Sequence, residues 1–157
     1  MEKEKKYRPN VAAIVLSPKY PLECKVLLAK RNDMDNIWQF PQGGIDEGED
    51  AKKALFRELK EEIGTNKVEI IATHPEWINY DFPQTTALKK RYNFDGQSQK
   101  YFLVRLKSGA KINIDTKHPE FSSYQFVSMK KLFDLITHFK RPIYVRAIQY
   151  FQNQGYL

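Results

Sequence analysis

Short apolar runs divided by turn residues open the chain. Val11 to Leu16 is apolar without a break and reads as a buried strand, and Cys24 to Ala29 reads as its hairpin partner across the Pro18 to Pro21 turn. After the polar residues 32 to 36, Trp38-Gln39-Phe40-Pro41-Gln42 predicts a short strand that Pro41 ends, because proline offers no ladder N–H. The period then changes. Ala51, Leu55, Leu59 and Ile63 recur at about 100° per residue and predict one helix over 50–63. Gly64 suits its C-terminal stop, and Asp46, Glu47 and Glu49 suit the positive end of its dipole. Further strands are expected at 68–72, 77–80, 100–106 and 124–127, with a mobile polar loop over 81–98. Two helices close the pattern, near 128–137 and 141–152, the second opened by Pro142. Strands on both sides of a central helix, with a terminal helix to cover the second face, predict an α/β fold: an α/β/α sandwich around a central mixed β-sheet.

The central helix contains a conflict. Glu62 falls inside the apolar stripe, Glu58 lies at its flank, and Glu61 sits just beyond Glu58. Carboxylates this close raise one another's pKa by like-charge repulsion, and partial burial raises it further, so they would protonate unless a strong cation held them ionised. A solvated helix of salt-bridged Glu and Lys is the ordinary reading of such a run. A hard divalent metal, Mg²⁺ or Mn²⁺, is the alternative that accounts for the position of the charges, and such ions share their charge with substrate phosphates.

Composition narrows the setting. At 157 residues one domain is expected, long enough to bury roughly 70% of the surface of its unfolded chain. No apolar run approaches a membrane span, and the charged residues 1–6 lack the core of a signal peptide, so a soluble, cytoplasmic protein is expected. The single cysteine, Cys24, reads as a packed strand-end residue, and His74, His118 and His138 read as structural or surface residues, none with zinc-ligand spacing. Lys and Arg number 26 against 19 Asp and Glu, a net charge of +7, although the central helix is acidic. A polyanion gripped by basic residues, with its reactive phosphates delivered to an acidic, metal-filled pit, fits that division.

Spacing makes the signal specific. Gly43, five residues, Glu49, seven residues, then Arg57-Glu58-Leu59-Lys60-Glu61-Glu62-Ile63-Gly64 resembles the signature box of the Nudix hydrolases. Thr65 departs from it, standing where the family usually has an aliphatic residue, at an end of the box that packs rather than reacts. The resemblance implies the Nudix fold over residues 1–157 and divalent-metal hydrolysis of phosphoric anhydride bonds. It also implies a turn at Gly43 and Gly44 that brings backbone carbonyl oxygen to the metal. Tyr7-Arg8-Pro9-Asn10-Val11, Ala29-Lys30-Arg31, Trp38 to Gly44, Gln97 to Phe102, Pro119-Glu120-Phe121 and Phe139-Lys140-Arg141 extend it over nearly the whole chain. They are similar to the branch of the family that removes pyrophosphate from the 5′-triphosphate end of bacterial RNA. Close relatives that cleave dinucleoside tetraphosphates share the Trp38 to Gly44 stretch. The first branch is the expectation here: 5′-triphosphorylated RNA as partner, a 5′-monophosphate end as product, initiation of mRNA decay as consequence, and neither DNA nor membrane as partner.

The roles carried over are specific to residues. Glu58, Glu61 and Glu62 are expected metal ligands, with Gly43 and Gly44 through their backbone and Glu120 as a fourth carboxylate. Glu61 or Glu120 is the expected base, and Arg57 pairs with a glutamate of the box and fixes its rotamer. Arg8 is an expected phosphate contact, and Gln42 and Gln99 are expected among the RNA or phosphate contacts. Arg31 and Lys140 are expected to hold the first nucleotides, Arg31 by stacking on a base, with Phe139 either stacking or packing a helix. An inactive RNA-binding module on the same scaffold would have lost carboxylates, whereas Glu49, Arg57, Glu58, Glu61 and Glu62 are all present.

Overall fold

The computed structural model describes residues 4–83 and 93–157. Eight strands form one sheet: β1 (Tyr7–Leu16), β2 (Val26–Arg31), β3 (Trp38–Gln39), β4 (Gln42–Gly44), β5 (Val68–Thr73), β6 (Ile78–Asp81), β7 (Gly96–Leu106) and β8 (Phe121–Val127). Three helices are described, α1 (Ala51–Ile63), α2 (Met129–Leu135) and α3 (Arg141–Asn153). The central path runs β3-β2-β1-β7-β5, with β4 on β1, β6 on β7 and β8 on β2. β1 and β7 are parallel and the other pairs antiparallel, so the sheet is mixed, as expected.

The unbroken apolar run of β1 follows from burial on both faces. Val11, Ala13 and Val15 pack with Leu55, Leu59 and Ile63 of α1. Ala12, Ile14 and Leu16 pack with Leu132 of α2 and with Tyr144, Ile148 and Phe151 of α3. Two cores back to back make the α/β/α sandwich. α1 starts at Asp50, whose side chain accepts from the Lys53 N–H at 2.8 Å, and ends at Gly64, φ 75°. Thr65 is buried, its hydroxyl accepting from the Lys67 N–H.

Three expectations change. The β1–β2 hairpin closes at a single pair, Leu16 with Val26, because further along β1 the same edge is taken by β4 and by Pro41, whose carbonyl accepts from the Ala13 N–H. Pro41 thus splits the expected strand in two: β3 belongs to β2, and β4 crosses to β1. Much of the expected loop over 81–98 is ladder, since Asp81 belongs to β6 and Gly96, Gln97 and Ser98 pair with both β1 and β6. Residues 84–92 of that expectation lie outside the described residues.

Candidate active site

A cavity of about 610 Å³ opens where β1, β4, α1 and the approach to α3 meet. β4 crosses β1 with Gly43 opposite Val11, directly beneath α1. Gly43 and Gly44 are extended strand residues here, not the expected turn. Glycine is required for a different reason, close approach. A Cβ on Gly43 would collide with the Glu58 carboxylate, and one on Gly44 with the Arg8 guanidinium.

The α1 carboxylates face the cavity at graded depths. Glu62 is buried and accepts from the Gln42 backbone N–H at 2.9 Å. Burial, and then Glu120 within hydrogen-bonding reach, push its pKa well above the ordinary carboxylate range. Glu58 is also shielded, and burial lifts its carboxyl to about 7 against the pull of Arg57. The Glu61 side chain, 58% exposed, forms the outer edge. Glu120 reaches the cavity from the loop before β8, which Asn32 pins by bonding the carbonyls of Pro119 and Glu120 at 2.8 and 3.0 Å.

Arg57 organises this wall. Its guanidinium clasps Glu49 and donates from Nη1 to Glu58 at 2.8 Å and to Glu61 at 3.3 Å. Nη2 also donates to the Gly44 carbonyl at 2.8 Å, so that oxygen is engaged by Arg57. Asp46 and Glu49 are drawn to Arg57 as well, 3.4 and 2.8 Å away, rather than serving only the helix dipole.

The rest of the lining includes basic and aromatic side chains. Arg8, Arg31, Phe139 and Lys140 all line the cavity. Arg31 is held by Asp33 through two bonds of 2.7 and 2.6 Å. Phe139 is 45% exposed with its ring 6.0 Å from that of Tyr80, a rim position rather than a packed one. Lys140 is only 6% exposed, with Nζ 5.4 Å from the Tyr80 ring centre, and burial followed by Arg31 brings its pKa down to about 7. His138 is a structural pin: Nε2 donates to the Trp38 carbonyl at 2.8 Å, and Nδ1 accepts from the Lys140 backbone N–H at 3.3 Å.

Gln99, unlike the other candidate RNA or phosphate contacts, does not line the cavity. It is wholly buried behind Gln42 and Asn10, bonded to both. Its side chain supports these neighbours instead of reaching the cavity. Sequence reasoning also passed over Asn10, Tyr80 and Phe82, all on the cavity wall. A signal existed for Asn10: a polar residue just before an apolar strand run, in a stretch already matched to the family.

Among the described residues, no three His, Cys, Asp or Glu side chains close tightly enough on one point to enclose a cation by themselves. The donor set nevertheless fits a hard divalent ion that keeps waters and uses few protein ligands, because it is all oxygen and carries two carboxylates whose ionised form the fold penalises.

A NUDIX domain model matches residues 6–147. Over all 157 residues the chain is 70% identical to an RNA pyrophosphohydrolase of Campylobacter jejuni subsp. doylei, with both chains covered in full. It is 56% identical to one of Helicobacter pylori over 98% of each. Among solved structures, the E. coli dihydroneopterin triphosphate pyrophosphohydrolase superposes with a TM-score of 0.68 at 20% identity, covering 88% of this chain and 92% of that one, a likeness of fold. Glycines that make room for Glu58 and Arg8, the Arg57-ordered carboxylates and the match over residues 6–147 agree, and the chain belongs to the NUDIX domain family.

Proposed function

We propose that the protein is a metal-dependent RNA 5′-pyrophosphohydrolase, which removes pyrophosphate from 5′-triphosphorylated RNA, leaves a 5′-monophosphate and so starts mRNA decay in the cytoplasm. The observation that carries this reading is that one cavity is lined both by the α1 carboxylates and by Arg8, Arg31, Phe139 and Lys140. Relatives named RNA pyrophosphohydrolase at 56 and 70% identity over essentially the whole chain support it.

Glu58, Glu62 and Glu120, with Glu61 at the edge and the Gly43 carbonyl, would hold the divalent cation, Mg²⁺ first and Mn²⁺ second, which when bound neutralises phosphate charge and acidifies a water. Arg57 keeps Glu58 in place. Glu61 or Glu120 takes the proton of the attacking water at its carboxylate. Arg8 and Gln42 grip phosphate, Arg31 and Phe139 hold the nucleotides that follow, the guanidinium and the exposed ring by stacking, and Lys140, buried within the influence of Glu62 and Glu120, serves phosphate and nucleotide alike.

The deciding assay offers the protein, with Mg²⁺, equal concentrations of 5′-triphosphorylated RNA and diadenosine tetraphosphate. RNA should be preferred, and efficiency should rise as the oligonucleotide grows from one to three nucleotides. Preference for the dinucleotide would assign a dinucleoside polyphosphate hydrolase instead, and equal efficiency on GTP would assign a nucleotide-pool enzyme.

A further inference from the structure

Behind the cavity floor runs a buried chain of amides whose direction is fixed. Tyr101 is fully buried, and its hydroxyl donates to Gln99 Oε1 at 2.7 Å. Gln99 Nε2 then donates both hydrogens, to Asn10 Oδ1 at 2.8 Å and to Gln42 Oε1 at 2.7 Å. Reversing the Gln99 amide would take from the buried Tyr101 hydroxyl the acceptor to which it donates. With their oxygens turned toward Gln99, Asn10 and Gln42 keep their NH₂ groups for the other side. Both residues line the cavity, and neither NH₂ has a partner among the described residues. Asn10 is only 1% exposed, an amide built into the cavity wall.

The geometry points to Asn10 Nδ2 and Gln42 Nε2 as a paired donor site for oxygen atoms of a substrate's polyphosphate, with Gln99 and Tyr101 as positioning residues that set its polarity. The inference rests on the reading of this cavity as a polyphosphate site. Phosphate oxygens rather than base edges are the fitting acceptors, because the Gln42 backbone N–H is bonded to Glu62, which places this pair on the carboxylate floor and away from the Phe139 rim. Neutral donors suit such a place, since they add hydrogen bonds to an anion without adding a further charge beside Glu62.

The test uses the full chain and inorganic tripolyphosphate, which has no base. In ¹⁵N-labelled protein with Mg²⁺, the side-chain NH₂ resonances of Asn10 and Gln42 should shift on titration, while that of Gln99 stays in place and is protected from exchange beforehand. Gln99→Glu can only accept, so Asn10 and Gln42 must turn their oxygens to the cavity, and the Kd for tripolyphosphate should rise by about 10-fold or more. Should that variant fail to fold, Gln99→Met and Tyr101→Phe remove the lock without a buried charge and should each weaken binding by about threefold, with the melting temperature showing that they are folded. Unmoved NH₂ resonances at saturation would overturn the inference. So would a wild-type Kd in the folded variants, or shifts produced by triphosphorylated RNA but not by tripolyphosphate. Wild-type protein that binds tripolyphosphate through these groups yet leaves triphosphorylated RNA intact would overturn the proposed function alone.

Discussion

Arg57 holds Glu49 through two parallel hydrogen bonds, Nε to Oε2 at 2.9 Å and Nη2 to Oε1 at 2.8 Å. The pair joins the loop before α1 to the turn that carries Glu58 and Glu61. Arg57, and then the Asp46 backbone N–H, lower the Glu49 carboxyl from the ordinary 4.5 to about 2.

A depressed carboxylate pKa stabilises the fold above the unfolded value and ceases to do so as pH falls toward the folded one. Wild-type protein should therefore exceed Glu49→Gln in urea midpoint at pH 7, with the difference narrowing between pH 4.5 and 2. A difference that stays constant across that range would show that the ion pair is not its source.

Gly43→Ala should separate activity from stability. The added methyl collides with the Glu58 carboxylate, a mobile side-chain end that can swing away at little cost to the fold but not without leaving Arg57. Turnover on triphosphorylated RNA should fall at least ~10-fold while the melting temperature stays nearly unchanged. Wild-type turnover would mean that Glu58 is not required where it stands.

Glu62→Gln should abolish turnover by orders of magnitude and leave the metal-free protein as stable or more so. The variant keeps an oxygen for the Gln42 N–H and loses a buried charge. Because the folded pKa of Glu62 is raised, its ionised form costs stability in full above that pKa, and the cost shrinks as pH falls below it and is gone below the ordinary value of 4.5. Chemical denaturation without metal should show the largest advantage of the variant at alkaline pH. Undiminished turnover with saturating metal would refute the assignment of this carboxylate.

Arg31 and Lys140, grouped together by sequence, should part company in kinetics. Arg31 reaches the rim with Asp33, so Arg31→Ala should lower efficiency on triphosphorylated RNA by about 10-fold, in keeping with ~1–3 kcal/mol for one stacked base, and spare tripolyphosphate. Lys140 lies buried, with Glu62 and Glu120 among the charges that act on it, so Lys140→Met should weaken both substrates. Equal losses for the two variants on every substrate would put both in the fold or the metal site.

What could be read from sequence follows from which periodicities were pure. α1 was legible because its stripe, cap and Gly64 agreed, and its misplaced Glu62 announced the site. The N-terminal half of β7 was not, because Gly96-Gln97-Ser98-Gln99 has loop composition, yet its amides are buried in service of the cavity. Gln99 was singled out from its matched stretch as a substrate contact, but whether a residue there touches substrate or props up Gln42 depends on strand register, which no local pattern encodes. Lys140 was expected among the residues that hold the first nucleotides, and that it is buried beside the Tyr80 ring is legible only in the packing.

The parallel ladder of β1 and β7 also has a consequence for the newborn chain. Its register sets Arg8 beside Gln97, Asn10 beside Gln99 and Ala12 beside Tyr101, partners 89 positions apart. Pairings across such distances close late, since loop entropy must be overcome before they form. A ribosome that has released everything through α1 has already exposed Glu58, Glu61 and Glu62, but neither the strand that orients the floor beneath them nor Glu120. Hydrolytic competence should therefore arrive only after residues 96–106 dock and Glu120 and Lys140 follow, so that partly made chains stay inert toward the transcripts around them.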